Sequence, residues 1–431
     1  MDLATRKRYA LVGTGGRAAF FYNAILQNFS KTSELVAFCD TNQTRMDYAN
    51  TRVKICGLTN LPTFHALYFD KMIEETKPDV VIVTSLDRTH NIYIVRAMEL
   101  GVDVISEKPM TIDEVRCQQI LDTVRSTGRN LRVTFNYRYA PHNTKICEIL
   151  RGGTIGKVNS VHFEWLLNTQ HGADYFRRWH RDKRNSGGLL VHKSTHHFDL
   201  VNFWLDTQPE TVFALGDLAF YGRENAEKAG TVNFYSRAHG SKEARNDPFA
   251  IHLEKNEQLK AMYLDAEHED GYFRDQSVFG DGISIEDTMA VMVKYRSGAL
   301  LTYSLVAYAP YEGFRVCFNG SKGRLEASIL EKSYVNSGGE QELEGALDDV
   351  SIMVHPMFAP PYKVEIKESV GGHGGGDPAL LNDLFGIPTP DPLHRAASHV
   401  DGAMSILTGI AANKALRTGQ AIQVNDLVQI Y

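Results

Sequence analysis

At 431 residues the chain is longer than one hydrophobic core usually serves, so two domains are expected. Its 43% apolar and 23% charged residues are ordinary globular usage, which excludes disorder as the main state. The formal net charge of −6 argues against nucleic acid as a partner, because that role needs a basic surface.

The first element is a short apolar run, Tyr9-Ala10-Leu11-Val12, ending in Gly13-Thr14-Gly15-Gly16-Arg17-Ala18; a helical pattern then continues to Leu26. Strand, glycine turn and helix start in this order can cradle a dinucleotide. Gly13 permits the tight turn, Gly15 lets a pyrophosphate reach the backbone, and the helix N-terminus supplies partial positive charge. Taken alone, the same glycines are equally a flexible turn. A second apolar strand over 34–40 ends in Asp40. An acid there accepts hydrogen bonds from the adenosine ribose and repels a 2′-phosphate, so the expected cofactor is NAD rather than NADP.

Residues 79–84 are almost wholly apolar, as a parallel strand covered on both faces must be. A helix over 91–100 stops at Gly101, and a strand over 102–106 runs into Glu107-Lys108-Pro109. Alternating strands and helices predict a doubly wound parallel sheet with ligands at the carboxyl ends of its strands. Ser85, His90, Glu107 and Lys108 lie at or just beyond such ends.

After Ala140-Pro141 the pattern changes, and a second α+β domain is expected over 138–431, following a dinucleotide-binding domain over 1–137. A helix over 143–150 leads through Gly152-Gly153 to a strand over 157–167. Further strands are read at 288–295, 299–307, 315–319 and 324–327, with Ser297-Gly298 as a hairpin turn. Residues 222–282 are polar and poor in strand signals, and are read as an insertion over the second domain. A final helix over 399–417 stops at Gly419.

The segment richest in chemistry is Gly187-Gly188-Leu189-Leu190-Val191-His192-Lys193-Ser194-Thr195-His196-His197-Phe198-Asp199. On one helix, His192, His196 and Asp199 would share a face. Three histidines and an acid could bind zinc. Lys193, however, stands where a zinc peptidase needs its glutamate, and an ammonium repels a metal, so no metal is expected. Just upstream, Tyr175-Phe176-Arg177-Arg178-Trp179-His180-Arg181-Asp182-Lys183-Arg184 is either a solvated face or a recognition strip. In the second case the aromatics would stack on sugar rings and the arginines would hold a carboxylate, sulfonate or phosphate. The stretch 371–377 is glycine-dense around His373, and reads as a flexible loop or as part of a site mouth.

No stretch approaches the roughly 20 apolar residues of a membrane helix. The five scattered cysteines and the short run before Gly13 suit a cytoplasmic protein with reduced thiols.

Taken in order, the glycine turn, Asp40, Ser85-Leu86-Asp87-Arg88-Thr89-His90, Glu107-Lys108-Pro109, Asn136-Tyr137-Arg138-Tyr139, the segment near His196, Phe318-Asn319-Gly320-Ser321-Lys322-Gly323 and Gly371-Gly372-His373-Gly374-Gly375-Gly376-Asp377 resemble one family. It is the glucose–fructose oxidoreductase and inositol dehydrogenase family (Gfo/Idh/MocA), and the resemblance spans nearly the whole chain. It implies a second domain built on a large open, mainly antiparallel sheet, and a homodimer or homotetramer formed through that sheet. It implies that Lys108 sits beside the nicotinamide and the substrate hydroxyl. Gly13, Gly15, Gly16, Arg17, Asp40, Ser85, His90, Glu107, Lys108 and Asn136 are then the expected cofactor contacts.

The family pattern Asp-x-Gly-x-His-x-x-Asp is met at His196 and Asp199, but this chain has His192 for the first aspartate and Ser194 for the glycine. His196 is carried over as general base, a role His192 can share or replace. Asp199 is expected to serve structure. Lys193, His197, Arg177, Arg178, Trp179, Tyr137 and His373 are the expected substrate contacts. The function implied is NAD-dependent oxidation of a hydroxyl on a sugar, glycoside or cyclic polyol; if the 175–184 run is a recognition strip, the substrate or a substituent on it carries an anionic group. The alternative is an NAD-dependent glycosidase that oxidises transiently, eliminates, adds water and re-reduces. A non-catalytic NAD sensor is disfavoured by the retention of Lys108 and His196.

Overall fold

The computed structural model describes residues 6–331, 346–366 and 372–430. Six parallel strands form the first sheet: β1 (Lys7–Val12), β2 (Ser33–Asp40), β3 (Thr63–His65), β4 (Val80–Val83), β5 (Asp103–Ser106) and β6 (Leu131–Val133). Their spatial order is β3-β2-β1-β4-β5-β6. All four residues of β4 are buried, which is why its sequence shows no alternation. Strand order reverses between β1 and β4, and a doubly wound sheet opens its ligand crevice at that point. The loops that meet there follow β1, β4 and β5.

The second sheet has nine strands: β7 (Val158–Asn168), β8 (Pro209–Asp217), β9 (Thr288–Tyr295), β10 (Leu300–Ala309), β11 (Glu312–Gly320), β12 (Gly323–Glu331), β13 (Leu347–Pro356), β14 (Tyr362–Lys363) and β15 (Ile422–Gln423). Their order is β14-β13-β12-β11-β7-β10-β9-β8-β15, with β7 and β10 parallel and the other pairs antiparallel. Along β9 and β10 buried and open residues alternate, so one face carries the core and the other is bare. The hairpin expected at Ser297-Gly298 joins these two strands. Strands β8 and β13 had not been anticipated. Pro209 and Gly216 blur the alternation of β8, and Asp348-Asp349 interrupt that of β13.

The final helix, His399–Thr418, starts on a capping box between Ser398 and Asp401 and stops at Gly419 in the left-handed conformation. It packs on β8 and against the helix Ser194–Leu205. One apolar core runs from the first sheet (Val81, Val104, Val133) through this helix (Ala403, Ile406, Leu407) to Phe163 and Trp165 of β7. The contact is closest at Gly409, where an added Cβ would lie 2.1 Å from the carbonyl oxygen of Leu190. Gly409→Ala is therefore expected to force the two segments apart and to lower stability by about 1–3 kcal/mol. Urea denaturation reads this as a lower midpoint, and an unmoved midpoint would refute the close packing.

Residues 222–282 correct the sequence reading. They contain no strand of either sheet, but they are not merely an excursion over the second domain. Leu253, Leu259, Met262 and Tyr263 form a small core of their own, and the segment folds back onto the first domain. Glu269 accepts hydrogen bonds from the backbone N–H groups of Gln43 and Thr44 at the start of the helix Gln43–Ile55. Arg45 pairs with Asp270 at 2.6 Å, and the Asn42 side chain donates to the carbonyl of Ala266. No helix among the described residues is long and apolar enough to cross a membrane.

Candidate active site

The carboxyl ends of β1, β4 and β5 open into a cavity of about 410 Å3 whose far wall comes from the second domain. That size suits a small-molecule site. Gly13, with φ +89°, packs so closely that a Cβ would lie 2.5 Å from the backbone nitrogen of Ser85. At Gly15 a Cβ would meet no protein atom within 4 Å, so this glycine faces open cavity, as a backbone that must admit a pyrophosphate should. Asp40 ends β2 and ties the turn in place: its Oδ2 accepts from the N–H and hydroxyl of Thr14, and Oδ1 accepts from the N–H of Asn42. The Gly16 N–H donates to the hydroxyl of Tyr263 at 3.0 Å, so the 222–282 segment reaches the glycine turn itself. Open backbone at Gly15, an acid at the end of β2 and a helix start beyond the turn fit a dinucleotide.

Lys108 follows β5 and precedes a cis proline. Burial lowers its ammonium pKa to about 8, outweighing the attraction of Glu107 and Asp87. Burial alone would raise the carboxyl of Glu107, but the charges of Arg17 and Lys108 hold it below its usual range. The Arg17 Nε donates to Glu107 at 2.7 Å while its guanidinium lies over Phe20. Both ring nitrogens of His90 are taken by backbone carbonyls, those of Pro109 and Ser85, so this residue braces two loops. Asn136 lines the cavity and donates to Asp377 at 2.7 Å.

Opposite these stand the histidines. The expected single helix breaks at Lys193 into Leu189–His192 and Ser194–Leu205. His192 and His196 still both line the cavity, in company with Lys108 and Lys193. Their surroundings differ. His192 Nδ1 lies 2.5 Å from Asp87 Oδ2, which leaves Nε2 as its remaining proton acceptor. Burial pushes the His192 imidazole well below its usual pKa, helped by Lys108 and Arg178, and it pushes the Asp87 carboxyl well up. The two are best regarded as one proton-holding pair. His196 has no carboxylate partner among the described residues: its Nδ1 is buried without a hydrogen bond, and Phe135, Tyr137 and His373 surround its ring. Burial, then the charges of Lys108 and Lys193, hold that ring neutral. Asp199 does not share the histidine face. It forms a two-point pair with Arg138 at 2.6 and 2.7 Å, buried outside the cavity.

Three sequence expectations stand corrected. His197 points away from the cavity; it stacks on Trp165 at 3.8 Å and bonds the hydroxyl of Tyr303 at 2.6 Å. Neighbours on a helix differ by about 100°, so His196 and His197 cannot face one cavity. Arg177 is withdrawn, its Nε donating to the carbonyl of Phe249, whereas Arg178 begins extended backbone and turns inward. Tyr137 stands behind the cavity wall, packed edge-on against His196 and His373. At 371–377 the reading needs no such change: His373, Gly374 and Gly375 take left-handed, non-helical backbone, and His373 lines the cavity and bonds Asp377; Gly371 lies outside the described residues.

Trp179 and Arg178 do line the cavity, and Trp179 stacks on His180 at 3.6 Å. Lys193 lies 5.1 Å from the Trp165 ring centre. Not anticipated were Asp87, His171, Asp174, Tyr175, His180, Arg45, Tyr263, Asp270 and Tyr272, all on the cavity wall. Asp87, Tyr175 and His180 lie inside segments the sequence already singles out. Among the described residues, no group of three or more histidine, cysteine and acid side chains is placed to hold a metal ion.

Comparison with known proteins matches residues 7–135 to the family model "Oxidoreductase family, NAD-binding Rossmann fold" and residues 148–424 to "Oxidoreductase family, C-terminal alpha/beta domain". The chain is 37% identical to YteT of Bacillus subtilis, a protein named as an oxidoreductase, over 98% of this chain and 99% of that one. It is 22% identical to myo-inositol 2-dehydrogenase of Thermotoga maritima over 83% of each. Its fold is similar to the WlbA dehydrogenase of Bordetella pertussis, solved with NADH and UDP-GlcNAcA, at TM-score 0.62 and 18% identity over 97% of this chain and 98% of that one.

Proposed function

We propose that this chain, which belongs to the Gfo/Idh/MocA family of NAD-binding oxidoreductases, oxidises one hydroxyl of a sugar, glycoside or cyclic polyol bearing an anionic group. The observation that carries the reading is the meeting of Lys108 with two imidazoles, His192 and His196, on a cavity that also holds the glycine turn and Asp40. Bound NAD supplies the hydride acceptor. The Lys108 ammonium orients the reacting hydroxyl and stabilises the oxygen as its proton leaves. Nε2 of His192 takes that proton, and Asp87 steadies the imidazolium that results. His196, neutral and without an acid behind it, is suited to hold a neighbouring hydroxyl. Trp179 and His180 offer an aromatic wall for a sugar face.

The anionic preference rests on a local charge imbalance. Asp174 is shared by three guanidinium groups: Arg274 at 2.6 Å, and Arg177 and Arg178 at 3.4 Å. Of these Arg178 lines the cavity, and its buried Nε has no partner among the described residues, although the guanidinium also meets Tyr272. A carboxylate or sulfonate on the substrate would satisfy it in forked geometry. Myo-inositol, neutral glycosides and the corresponding glycuronides, each mixed with the enzyme and NAD, test both parts. NADH appearing in proportion to substrate is expected, with lower KM for the glycuronides; Arg178→Leu is expected to remove that preference, a change of about tenfold or more. Equal KM for neutral and anionic substrates would refute the anionic part.

The second reading, a glycosidase that oxidises transiently, is favoured by one observation: the cavity holds more proton-carrying side chains than a single hydroxyl oxidation uses. Sugar release with NAD in catalytic amounts would distinguish it. The bare face of the nine-stranded sheet, with Leu215, Met292 and Leu300 exposed, supports a homodimer or homotetramer.

A further inference from the structure

We propose that Tyr175 is a second acid–base residue of this site, working through His171 and Glu312; the proposal rests on the redox reading above and extends it. His171 and Tyr175 lie one turn apart on the helix His171–Arg177, so their side chains meet. The Tyr175 hydroxyl is 2.9 Å from Nε2 of His171, and Nδ1 of the same ring is 2.6 Å from Oε1 of Glu312. Oε2 of Glu312 accepts from the N–H of Asn168, and the carboxylate side chain is 0% exposed. Strand β10 seats this helix: at Gly172 a Cβ would lie 1.7 Å from the carbonyl oxygen of Ala307, so only glycine allows the approach that sets His171 beside Glu312.

Tyr175 and His171 both line the cavity with Lys108, and the Tyr175 ring lies 5.4 Å from those of His192 and His180. A buried acid, an imidazole and a hydroxyl thus stand in line and end at the reaction space. The order is that of the acyl-transfer triads, with a phenol in place of the serine. The bonds that join Tyr175, His171 and Glu312 do not themselves include His192 or Asp87.

With Glu312 as carboxylate and the ring neutral, Nδ1–H donates to Glu312 and Nε2 accepts the Tyr175 hydroxyl. Removal of hydride leaves a carbonyl on the substrate, which acidifies the C–H bond beside it. Tyr175 then takes that proton on its oxygen while passing its own proton to Nε2. The electron pair of the C–H bond stays with the substrate as an enolate, whose oxygen faces the Lys108 ammonium. Tyr175 is unchanged, His171 becomes an imidazolium beside Glu312, and the reverse step returns the proton. No further oxidant or reductant is required. Tyr175 is the catalytic residue in this scheme, and His171 and Glu312 are positioning residues.

The test uses the NAD-loaded full chain in heavy water with myo-inositol, methyl and p-nitrophenyl glycosides and glycuronides. NADH is followed by absorbance, and deuterium bound to carbon in the recovered carbohydrate by mass spectrometry. Wild-type protein is expected to introduce deuterium beside the oxidised carbon. Tyr175→Phe is expected to lower the ratio of exchange to NADH formation about 100-fold. Glu312→Gln should lower kcat for exchange about tenfold with KM within about twofold, and Glu312→Asp should recover part of it. NADH without exchange in the wild type, or an unchanged ratio in Tyr175→Phe, overturns the proposal while leaving the oxidoreductase reading standing. Absence of NADH from every carbohydrate would instead remove that reading, and the Tyr175 step with it.

Discussion

Lys108→Met is expected to lower the rate of NADH formation about a thousandfold, the largest effect of any single change in this molecule. The side chain lines the cavity beyond β5 and feels the charges of Glu107 and Asp87, and burial has lowered its ammonium pKa to about 8. A cation of that acidity can donate strongly to an oxygen that is losing its proton, yet it remains mostly charged at neutral pH. The sign of the pH dependence follows. Below about pH 8 the ammonium is present and the oxidation runs; as pH rises through that value the cation is lost, and kcat/KM falls with it. Lys108→Arg keeps the charge at any accessible pH, so its falling limb should vanish even though the longer fork lowers the absolute rate. A pH profile of kcat/KM for wild type and Lys108→Arg decides the matter, and a limb near pH 8 persisting in the arginine variant would assign it to another group.

How far such a site can be read from sequence depends on how local its parts are. In the first domain β1, β2, β4 and β5 were legible because each holds an apolar run and the ligand end of each is fixed by topology, whereas β3 (Thr63–His65) and β6 (Leu131–Val133) are three residues long and carry no such run. Lys108 lies at such a strand end, but its role and that of the histidine segment came from the ordered resemblance to the family. The partners that give them chemistry were not legible. Asp87 reaches His192 across 105 positions and Tyr263 reaches Gly16 across 247, and no local pattern marks such pairs. The errors at His197 and Arg177 were errors of phase. His197 follows His196 on one helix and so turns about 100° away from the cavity, and the extended backbone at Arg178 turns that side chain to the cavity wall while Arg177 stays withdrawn. The polar 222–282 segment carries few periodic signals because much of what it buries is polar pairing with the first domain, such as Arg45–Asp270.

Asp87→Asn is expected to lower kcat about 100- to 1000-fold with KM little changed, because it disables the proton route without touching the substrate. His192 is buried among cations, and Lys108 and Arg178 both oppose a positive charge on its ring. That keeps the ring neutral below its usual pKa and ready to accept, but it would also oppose the imidazolium formed in the reaction. Burial favours a neutral Asp87 carboxyl while Lys108 and Arg178 favour its ionised form, and in that form, 2.5 Å from Nδ1, it places a negative charge where the new positive one appears. An asparagine fits the same space yet cannot do so, and its amide N–H can turn the ring to the tautomer whose Nε2 already bears a proton. His196 has no such partner, since Asp199 is committed to Arg138. His196→Asn should therefore act mainly on KM and cost about tenfold or less in kcat, whereas His192→Asn should match Asp87→Asn. The double variant His192→Asn/Asp87→Asn should fall little further than either single change, as groups acting as one unit do. If His196→Asn were instead the more damaging substitution in kcat, the proton would leave through His196, and the Asp87 pair would be only a brace for the cavity wall.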